Sequence, residues 1–308
     1  MNKLVTYWNQ NRLKITMTII IIVFVILLIF ATNNLIRQTL NQNNNQSSSS
    51  GNTTSKTESV ITGAEISVET ADQNENIISE FVQACNSGNY EQAYDMLTEE
   101  CKQNQFASLE LFIQNYCNNI FTTHKTYTLE LWQNTGIACT YRVLYINNNI
   151  LETGKFDTNS NIEDYITIIN NGKTSKLNIN GFIYMQNINS SQNIQNIEIT
   201  VQNRCVYRSY EEYELTVINN SSNTIRLSDG INSNDICLVD QNDVEYNSII
   251  NQISELSLEI EPGYRKTFKI RFNKTYNTYR TIERLQFKNV VLNVGDEQSG
   301  TVNISIDI

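Results

Sequence analysis

Residues 82–101 read VQACNSGNYEQAYDMLTEEC, and this stretch decides how the chain around it is interpreted. It completes an apolar helical repeat that begins at Ile77 and stops at the Asn, Ser and Gly of residues 86–88. A second apolar face runs from Tyr90 to Leu97 at helical spacing. The stretch therefore predicts two helices joined by a glycine turn.

The pattern changes farther along the chain. Residues 108–120 predict a third helix with Ser108 as its N-cap. Beyond His124 apolar residues alternate with polar ones, which predicts about five antiparallel strands ending near Met185. Helices followed by such strands indicate an α+β domain over residues 74–186, with helices on a curved antiparallel sheet that leaves a concave cup.

Residues 82–101 resemble the nuclear-transport-factor-2-like (cystatin-like) superfamily, in which a helix, a glycine turn and a helix with the pattern aYdmL precede the strands. The resemblance covers a little over a third of the chain. It implies the same α+β fold. Because members include enzymes, transport factors and structural subunits, the resemblance alone does not imply one function.

Residues 196–308 contain alternating strand patterns throughout. Seven or eight short strands, separated by turns such as residues 219–222 and 261–263, predict an all-β sandwich. The order VINNSSNTIRL, ICLVDQNDVEY and LEIEPGYRKTFKIRF resembles immunoglobulin-like extracellular domains of Gram-positive bacterial surface proteins and lipoproteins. That resemblance implies placement at a cell surface rather than an activity.

The N-terminal part contains an uncharged run, ITMTIIIIVFVILLIFA, at residues 15–31. With its flanks, such a run covers a hydrocarbon core of about 30 Å, so we predict a transmembrane helix. Lys3, Arg12 and Lys14 precede it, which predicts a cytoplasmic basic segment at residues 1–14 and an extracellular location for the C-terminal domains. A cleaved signal peptide is the alternative, although the run lacks a small-x-small exit.

Two polar segments separate the predicted parts. Residues 32–73 are rich in Asn, Ser and Thr and predict a disordered linker, because they offer little apolar surface to bury. Residues 187–195, within QNINSSQNIQN, predict a second linker. The predicted fold class is therefore one transmembrane helix, an α+β domain and an all-β immunoglobulin-like sandwich.

The charge distribution limits the partners. The net charge is −10, while residues 1–60 hold five basic residues and one acidic residue, so the acidity is concentrated in the rest of the chain. An acidic surface repels phosphate backbones, which excludes nucleic acid as a partner. The expected partners are a lipid bilayer through residues 15–31 and envelope proteins or an extracellular ligand.

No catalytic residue and no cofactor are predicted. His124, the single histidine, lies at a helix-to-strand junction and is interpreted as structural. The motifs HExxH, GxSxG, GxGxxG and the P-loop are absent. Glu152, Asp157, Glu163 and Asp164 are candidates for a polar cluster in the cup, with a solvated acidic surface as the better interpretation.

One turn has the composition of a metal site. Asp240, Asn242, Asp243 and Glu245 place oxygen ligands at short spacing, as calcium sites do. The EF-hand order and its glycine are missing. An ordinary hairpin turn is therefore the better interpretation, and calcium is the weaker alternative.

The cysteines divide between the two predicted domains: Cys85, Cys101, Cys117 and Cys139, then Cys205 and Cys237. An even number in each extracellular domain favours disulfides. Cys205 and Cys237 form the candidate pair, because a sandwich can bring them face to face. Cys85 and Cys117 lie on apolar helix faces, where buried free thiols are common.

These features predict a non-enzymatic, membrane-tethered, extracytoplasmic binding or assembly protein of the cell envelope. One alternative is a subunit of a Gram-positive conjugation or secretion machine, since such systems use one N-terminal helix followed by nuclear-transport-factor-2-like domains. Another is a small-ligand carrier or enzyme that uses the cup of the first domain.

Overall fold

A computed structural model describes residues 56–147, 161–170, 174–228, 233–249, 258–296 and 299–308. These residues fall within one compact unit, Thr53–Ile308. The predicted cytoplasmic segment 1–14 and transmembrane helix 15–31 lie outside the described residues.

The helices precede the strands. They are α1 Val68–Asn86, α2 Tyr90–Asp95, α3 Glu99–Gln105, α4 Leu109–Phe112, a π-helical turn Ile113–Cys117 and α5 Asn118–Ile120. The first seven strands are β1 Lys125–Asn134, β2 Ala138–Asn147, β3 Ile162–Asn170, β4 Ser175–Asn178, β5 Phe182–Ile194, β6 Ile197–Tyr207 and β7 Glu211–Asn219. The others are β8 Ile225–Arg226, β9 Ile236–Asp240, β10 Glu245–Asn247, β11 Glu259–Ile260, β12 Arg265–Phe272, β13 Ile282–Val291 and β14 Thr301–Asp307, with a 3-10 turn at Ser233–Asp235.

The predicted fold class is wrong. The described chain is mostly β, in antiparallel sheets, and none of its helices is long and apolar enough to cross a membrane. A membrane-spanning helix needs about 20 predominantly apolar residues, whereas α1, with 19 residues, has exposed polar residues along its length. The predicted single-pass localisation with a signal anchor is corrected on the same finding.

The predicted disordered linker also ends too late. Ser67 begins α1, because its hydroxyl accepts a hydrogen bond from the Thr70 amide at 3.0 Å and so satisfies a free N–H of the first turn. Upstream, Val60 and Ile61 donate backbone hydrogen bonds to the edge of β1. Residues 56–73 are therefore structured.

The structure confirms where the predicted third helix begins. Ser108 caps α4 as predicted, with its hydroxyl accepting from the Leu111 amide. The predicted third helix is then interrupted by the π-helical turn, which buries the adjacent side chains of Tyr116 and Cys117. A π turn is wider than an α turn, so the apolar stripe is displaced there.

Helices α1–α5 pack with a four-stranded antiparallel sheet in the order β1-β2-β3-β4. Large side chains fill the space between them, including Phe81, Phe112, Tyr116, Tyr141 and Tyr145. All five are almost completely buried. The expected cup is therefore occupied by the protein's own core.

A second core lies between two sheets. One has the order β12-β7-β6-β5, and the other has the order β10-β9-β13-β8-β11 with β14 added to β13. Inward-facing residues alternate along the strands, as Leu215 and Val217 do on β7 and Phe268 and Ile270 on β12. This alternation is what the period-two pattern predicts.

The predicted linker 187–195 is wrong for most of its length. Residues 187–194 belong to β5 and pair with β6, and Gln195 and Asn196 form the hairpin turn with positive φ. Strand pairing satisfies the backbone of this polar segment, while its side chains remain largely exposed. Strand β6 contributes Tyr207 to the first core and Ile197 to the second.

Candidate functional site

An open groove of about 1060 Å³ lies on the helical side of the first core. It is bounded by α1, α2, α4, the π-helical turn and the start of β4. Its apolar lining comprises Ile77, Tyr90, Met96, Leu109 and Ile113, and its carboxylates are Glu80, Glu91 and Asp95. These residues define what we call the acidic groove.

The carboxylates of the acidic groove are exposed to solvent. Glu80, Glu91 and Asp95 are exposed, and among the described residues none of them forms an ion pair. Lys176 is the basic residue of the lining, and its ammonium donates to the backbone carbonyl of Asp95. The groove therefore presents a net negative rim over an apolar floor.

A smaller cavity of about 470 Å³ adjoins the acidic groove and shares Thr174 and Lys176 with it. It adds Glu99 and Glu100, the first residues of α3. The wall between the cavities is held by backbone hydrogen bonds: Leu177 donates to Met96, and Thr98 donates to Leu177 at 2.9 Å. These hydrogen bonds fix the edge of β4 against the segment that follows α2.

The weaker calcium alternative does not fit the surroundings of Asp240, the first of the four candidate ligands. Asp240 is buried, and its Oδ1 accepts from the amides of Asn242 and Val244 while its Oδ2 accepts from Tyr246 and Arg280. Burial alone would raise the pKa of Asp240, but these hydrogen bonds hold it well below its usual range. Both oxygens are occupied by donors, so they are not free to ligate a cation.

The remaining predicted ligands also have other partners. Asp243 pairs with Arg284 at 2.6 Å and Glu245 pairs with Lys288 at 2.7 Å. Asn242 lies in the exposed turn between β9 and β10. The described part of the chain contains no group of three potential metal ligands. The turn is the ordinary hairpin that the sequence favoured.

The predicted Cys205–Cys237 disulfide is wrong. Both thiols are free and buried. Cys205 packs in the first core, whereas Cys237 lies between Ile236 and Leu238, which both face the second core, and therefore points away from it. The alternation of a strand places the two thiols in different environments.

Glu163 and Asp164, the two described members of the acidic set, lie in different environments. Glu163 is exposed and pairs with Arg142 at 2.6 Å. Asp164 is buried, accepts a hydrogen bond from Tyr116 at 2.7 Å, and has a pKa raised by that burial. Glu152 and Asp157 lie outside the described residues, and His124 is exposed at the junction before β1.

Sequence reasoning missed a buried ion cluster of Arg204, Glu211 and Lys274. Arg204 donates through both Nε and Nη2 to the Glu211 carboxylate, and Lys274 donates to it at 2.8 Å. The Tyr213 hydroxyl completes the set at 2.9 Å. Alternation along β7 does not reveal this cluster, because Glu211 and Glu212 are both buried and face opposite sides of the sheet.

Comparisons with known proteins leave the family open. No family model and no curated protein matches this chain. A solved structure, a conserved hypothetical protein from Bacillus anthracis, matches 38% of this chain and 95% of its own at 17% identity, with a TM-score of 0.25. The two superfamily resemblances therefore stay predictions, and the function is argued from the residues of this chain.

Proposed function

We propose that this chain is a non-enzymatic binding module for protein assembly, and that its acidic groove holds a basic, partly apolar peptide segment of a partner protein. The observation that carries the proposal is the combination of a partly exposed apolar floor with three carboxylates that form no ion pair among the described residues.

The apolar floor would supply most of the binding free energy. Tyr90 and Met96 are partly buried in the free protein, so an apolar side chain of the partner can cover the area that remains in water. Aromatic residues and methionine are enriched in the cores of protein interfaces. An open groove of this volume suits an extended or helical segment better than an enclosed small molecule.

The rim would select the sign of the partner's charge. Glu80, Glu91 and Asp95 outnumber Lys176, and the whole chain carries −10. Lysine or arginine side chains would therefore be attracted, and acidic segments would be repelled. The long-range field would mainly increase the association rate, and that contribution falls as salt is added.

The packing of the first core favours this proposal over a carrier or enzyme. The space in which a small ligand would sit holds Phe112, Tyr116 and Tyr145 instead. A subunit of a larger machine remains compatible with the proposed groove, since such subunits hold segments of their neighbours.

The test uses two labelled peptides of equal length, one alternating lysine with leucine and one alternating glutamate with leucine. Fluorescence anisotropy at about 0.15 M salt, where exposed charges are screened beyond roughly 8 Å, should show binding of the lysine peptide alone. Absence of binding by the lysine peptide would contradict the proposal.

Matched double variants test whether the lysine peptide binds in the acidic groove or is attracted only by the net negative charge of the protein. Glu80→Lys with Glu91→Lys should weaken binding of the lysine peptide by about tenfold, since two attractive charges become repulsive. Glu65→Lys with Glu261→Lys makes the same charge change at exposed sites outside the groove and should alter affinity by less than about twofold. Equal losses in the two variants would show that the peptide binds through net charge only.

A further inference from the structure

Strand β4 forms one edge of the first sheet, and the start of that strand lines the acidic groove. Leu177 is paired on the outer side of β4: its N–H donates to the Met96 carbonyl, and its carbonyl accepts from the Thr98 amide, both at 2.9 Å. These two bonds form a parallel bridge between Leu97 and Leu177. The outer side of β4 is therefore covered at Leu177 by the segment that follows α2.

Ser175, the first residue of β4, presents its main chain on the same outer side. Main-chain hydrogen bonds alternate along a strand, so residues two apart face the same neighbour. Because the N–H and carbonyl of Leu177 point away from β3, those of Ser175 do as well. Ser175 is partly exposed and lines the acidic groove with Thr174 and Lys176.

The groups of α2 that could pair with Ser175 are engaged elsewhere. In a continued parallel pairing, Ser175 would donate to the Tyr94 carbonyl and accept from the Met96 amide. Instead, Leu97 donates to Tyr94 at 3.1 Å, and the Met96 amide donates to the last turn of α2 at 3.2 Å. In the described part of the chain, no main-chain group outside the sheet bonds Ser175. Its outward N–H and carbonyl are therefore available to a partner that enters the groove.

We infer that the partner segment binds the acidic groove as an extended strand that adds to the edge of β4 at Ser175. This inference rests on the proposed function and specifies how the peptide is held. Ser175 donates its N–H to a carbonyl of the segment and accepts from one of the segment's amides, as in other complexes in which a peptide adds to a sheet edge. These bonds supply affinity, while the apolar floor and the carboxylates select the side chains.

The strand form also sets the side-chain pattern of the partner. Side chains alternate between the two faces of a strand. A segment that alternates basic and apolar residues can therefore place its apolar side chains over the floor and keep its basic side chains beside the carboxylate rim. An amphipathic helix could not bond the edge of β4 in this way, because its main-chain groups are bonded within the helix.

The first test uses the alternating lysine-leucine peptide in three forms: unmodified, N-methylated at every leucine, and N-methylated at every lysine. In a strand the N–H groups of alternate residues point to the same edge, so one methylated set faces Ser175 and the other faces away. Anisotropy titrations of the full chain should show a loss of about tenfold or more for one methylated peptide and less than about twofold for the other.

The pattern of losses separates this inference from the proposed function. Equal affinities of the three peptides would overturn the inference, because a binding mode without main-chain bonds ignores N-methylation. Equal losses for both methylated peptides would also overturn it, because a bound helix uses the N–H groups of both sets. Absence of binding by the unmodified peptide would instead contradict the proposed function itself.

A proline at position 175 removes the inferred donor from the protein. Ser175→Pro deletes an N–H that faces away from β3, and the first residue of an edge strand tolerates proline, so the sheet should stay folded. We expect the affinity for the unmodified lysine-leucine peptide to fall about fivefold. Unchanged affinity of the folded variant would overturn the inference.

Thr301→Pro is the matched control. Thr301 begins β14, which pairs with β13 and lies outside the groove lining. Leu292 donates to the Gly300 carbonyl, so the N–H of the next residue, Thr301, faces away from β13 in the same way. The control should change affinity by less than about twofold. Circular dichroism and the melting temperature show whether both variants are folded, and equal losses in the two would overturn the assignment to Ser175.

Discussion

The buried ion cluster shows how strongly the environment decides the role of a single carboxylate. Glu211 is fully buried, and its partners Arg204 and Lys274 are nearly so. The neighbouring Glu212 is also buried, but its partners Arg271 and Lys269 are substantially exposed. The two glutamates are adjacent in the chain but differ in their partners. Water can reach the cations paired with Glu212 more readily than those paired with Glu211.

The substitution Glu211→Gln tests this difference. It should lower the free energy of unfolding by about 3 kcal/mol, because two buried cations would lose their counter-ion. Glu212→Gln is the matched control and should cost about 1 kcal/mol or less, since solvent can rehydrate Arg271 and Lys269. Urea unfolding at constant m-value measures both. Equal costs for the two variants would contradict the assignment of Glu211 as the central buried charge.

The second half of strand β5 shows why amino-acid composition gave the wrong linker prediction. Its second half contains no charge and little apolar surface, as a linker does. Pairing with β6 from Ser190–Val201 to Ile194–Ile197 nevertheless orders it. Backbone hydrogen bonds do not depend on side-chain polarity, so a polar edge strand and a linker have similar compositions.

An insertion of Gly-Ser-Gly-Ser distinguishes a strand from a linker. Placed after Ser191, it should shift the register of β5 and lower the free energy of unfolding by about 2–3 kcal/mol through lost hydrogen bonds and cross-strand pairs. Placed between Gln195 and Asn196 in the hairpin turn, the same insertion should cost less, because lengthening a surface loop costs little entropy. Chemical denaturation measures both variants. Equal tolerance would restore the linker interpretation.

For the whole molecule, the hairpin of β5 and β6 joins the two cores. Met185 and Cys205 lie at the first core, and Ile194 and Ile197 lie at the second. Trp132 of β1 contacts Tyr276, which follows β12, with ring centroids 5.6 Å apart. Disruption of either core would therefore remove support from the other.

We expect residues 56–308 to unfold in one cooperative transition, because the two cores share strands. Calorimetry should give a van't Hoff enthalpy close to the calorimetric enthalpy. A fragment of residues 196–308, which lacks β5 and exposes the edge of β6, should not fold alone. Two resolved transitions, or a cooperative melt of the fragment, would instead support the predicted domain boundaries 74–186 and 196–308.

Some features follow from local sequence, because their physical causes are local. The Ser108 cap depends on one hydroxyl and the next few amides. The helical repeat around Phe81 and the alternation around Ile270 report which face is buried. These signals involve neighbours within one turn or two strand positions, so the chain alone determines them.

Other features were decided by the tertiary structure, because they depend on residues far apart in the chain. Sequence spacing suggested calcium ligation by Asp240, but Arg280 reaches its carboxylate from the segment before β13. It suggested a Cys205–Cys237 bond, but Cys205 packs in the first core, while strand alternation turns Cys237 away from the second core. The sequence by itself determined most helices and strands and their apolar faces, and only folding in three dimensions ordered polar segments such as the second half of β5 and decided which polar atoms meet.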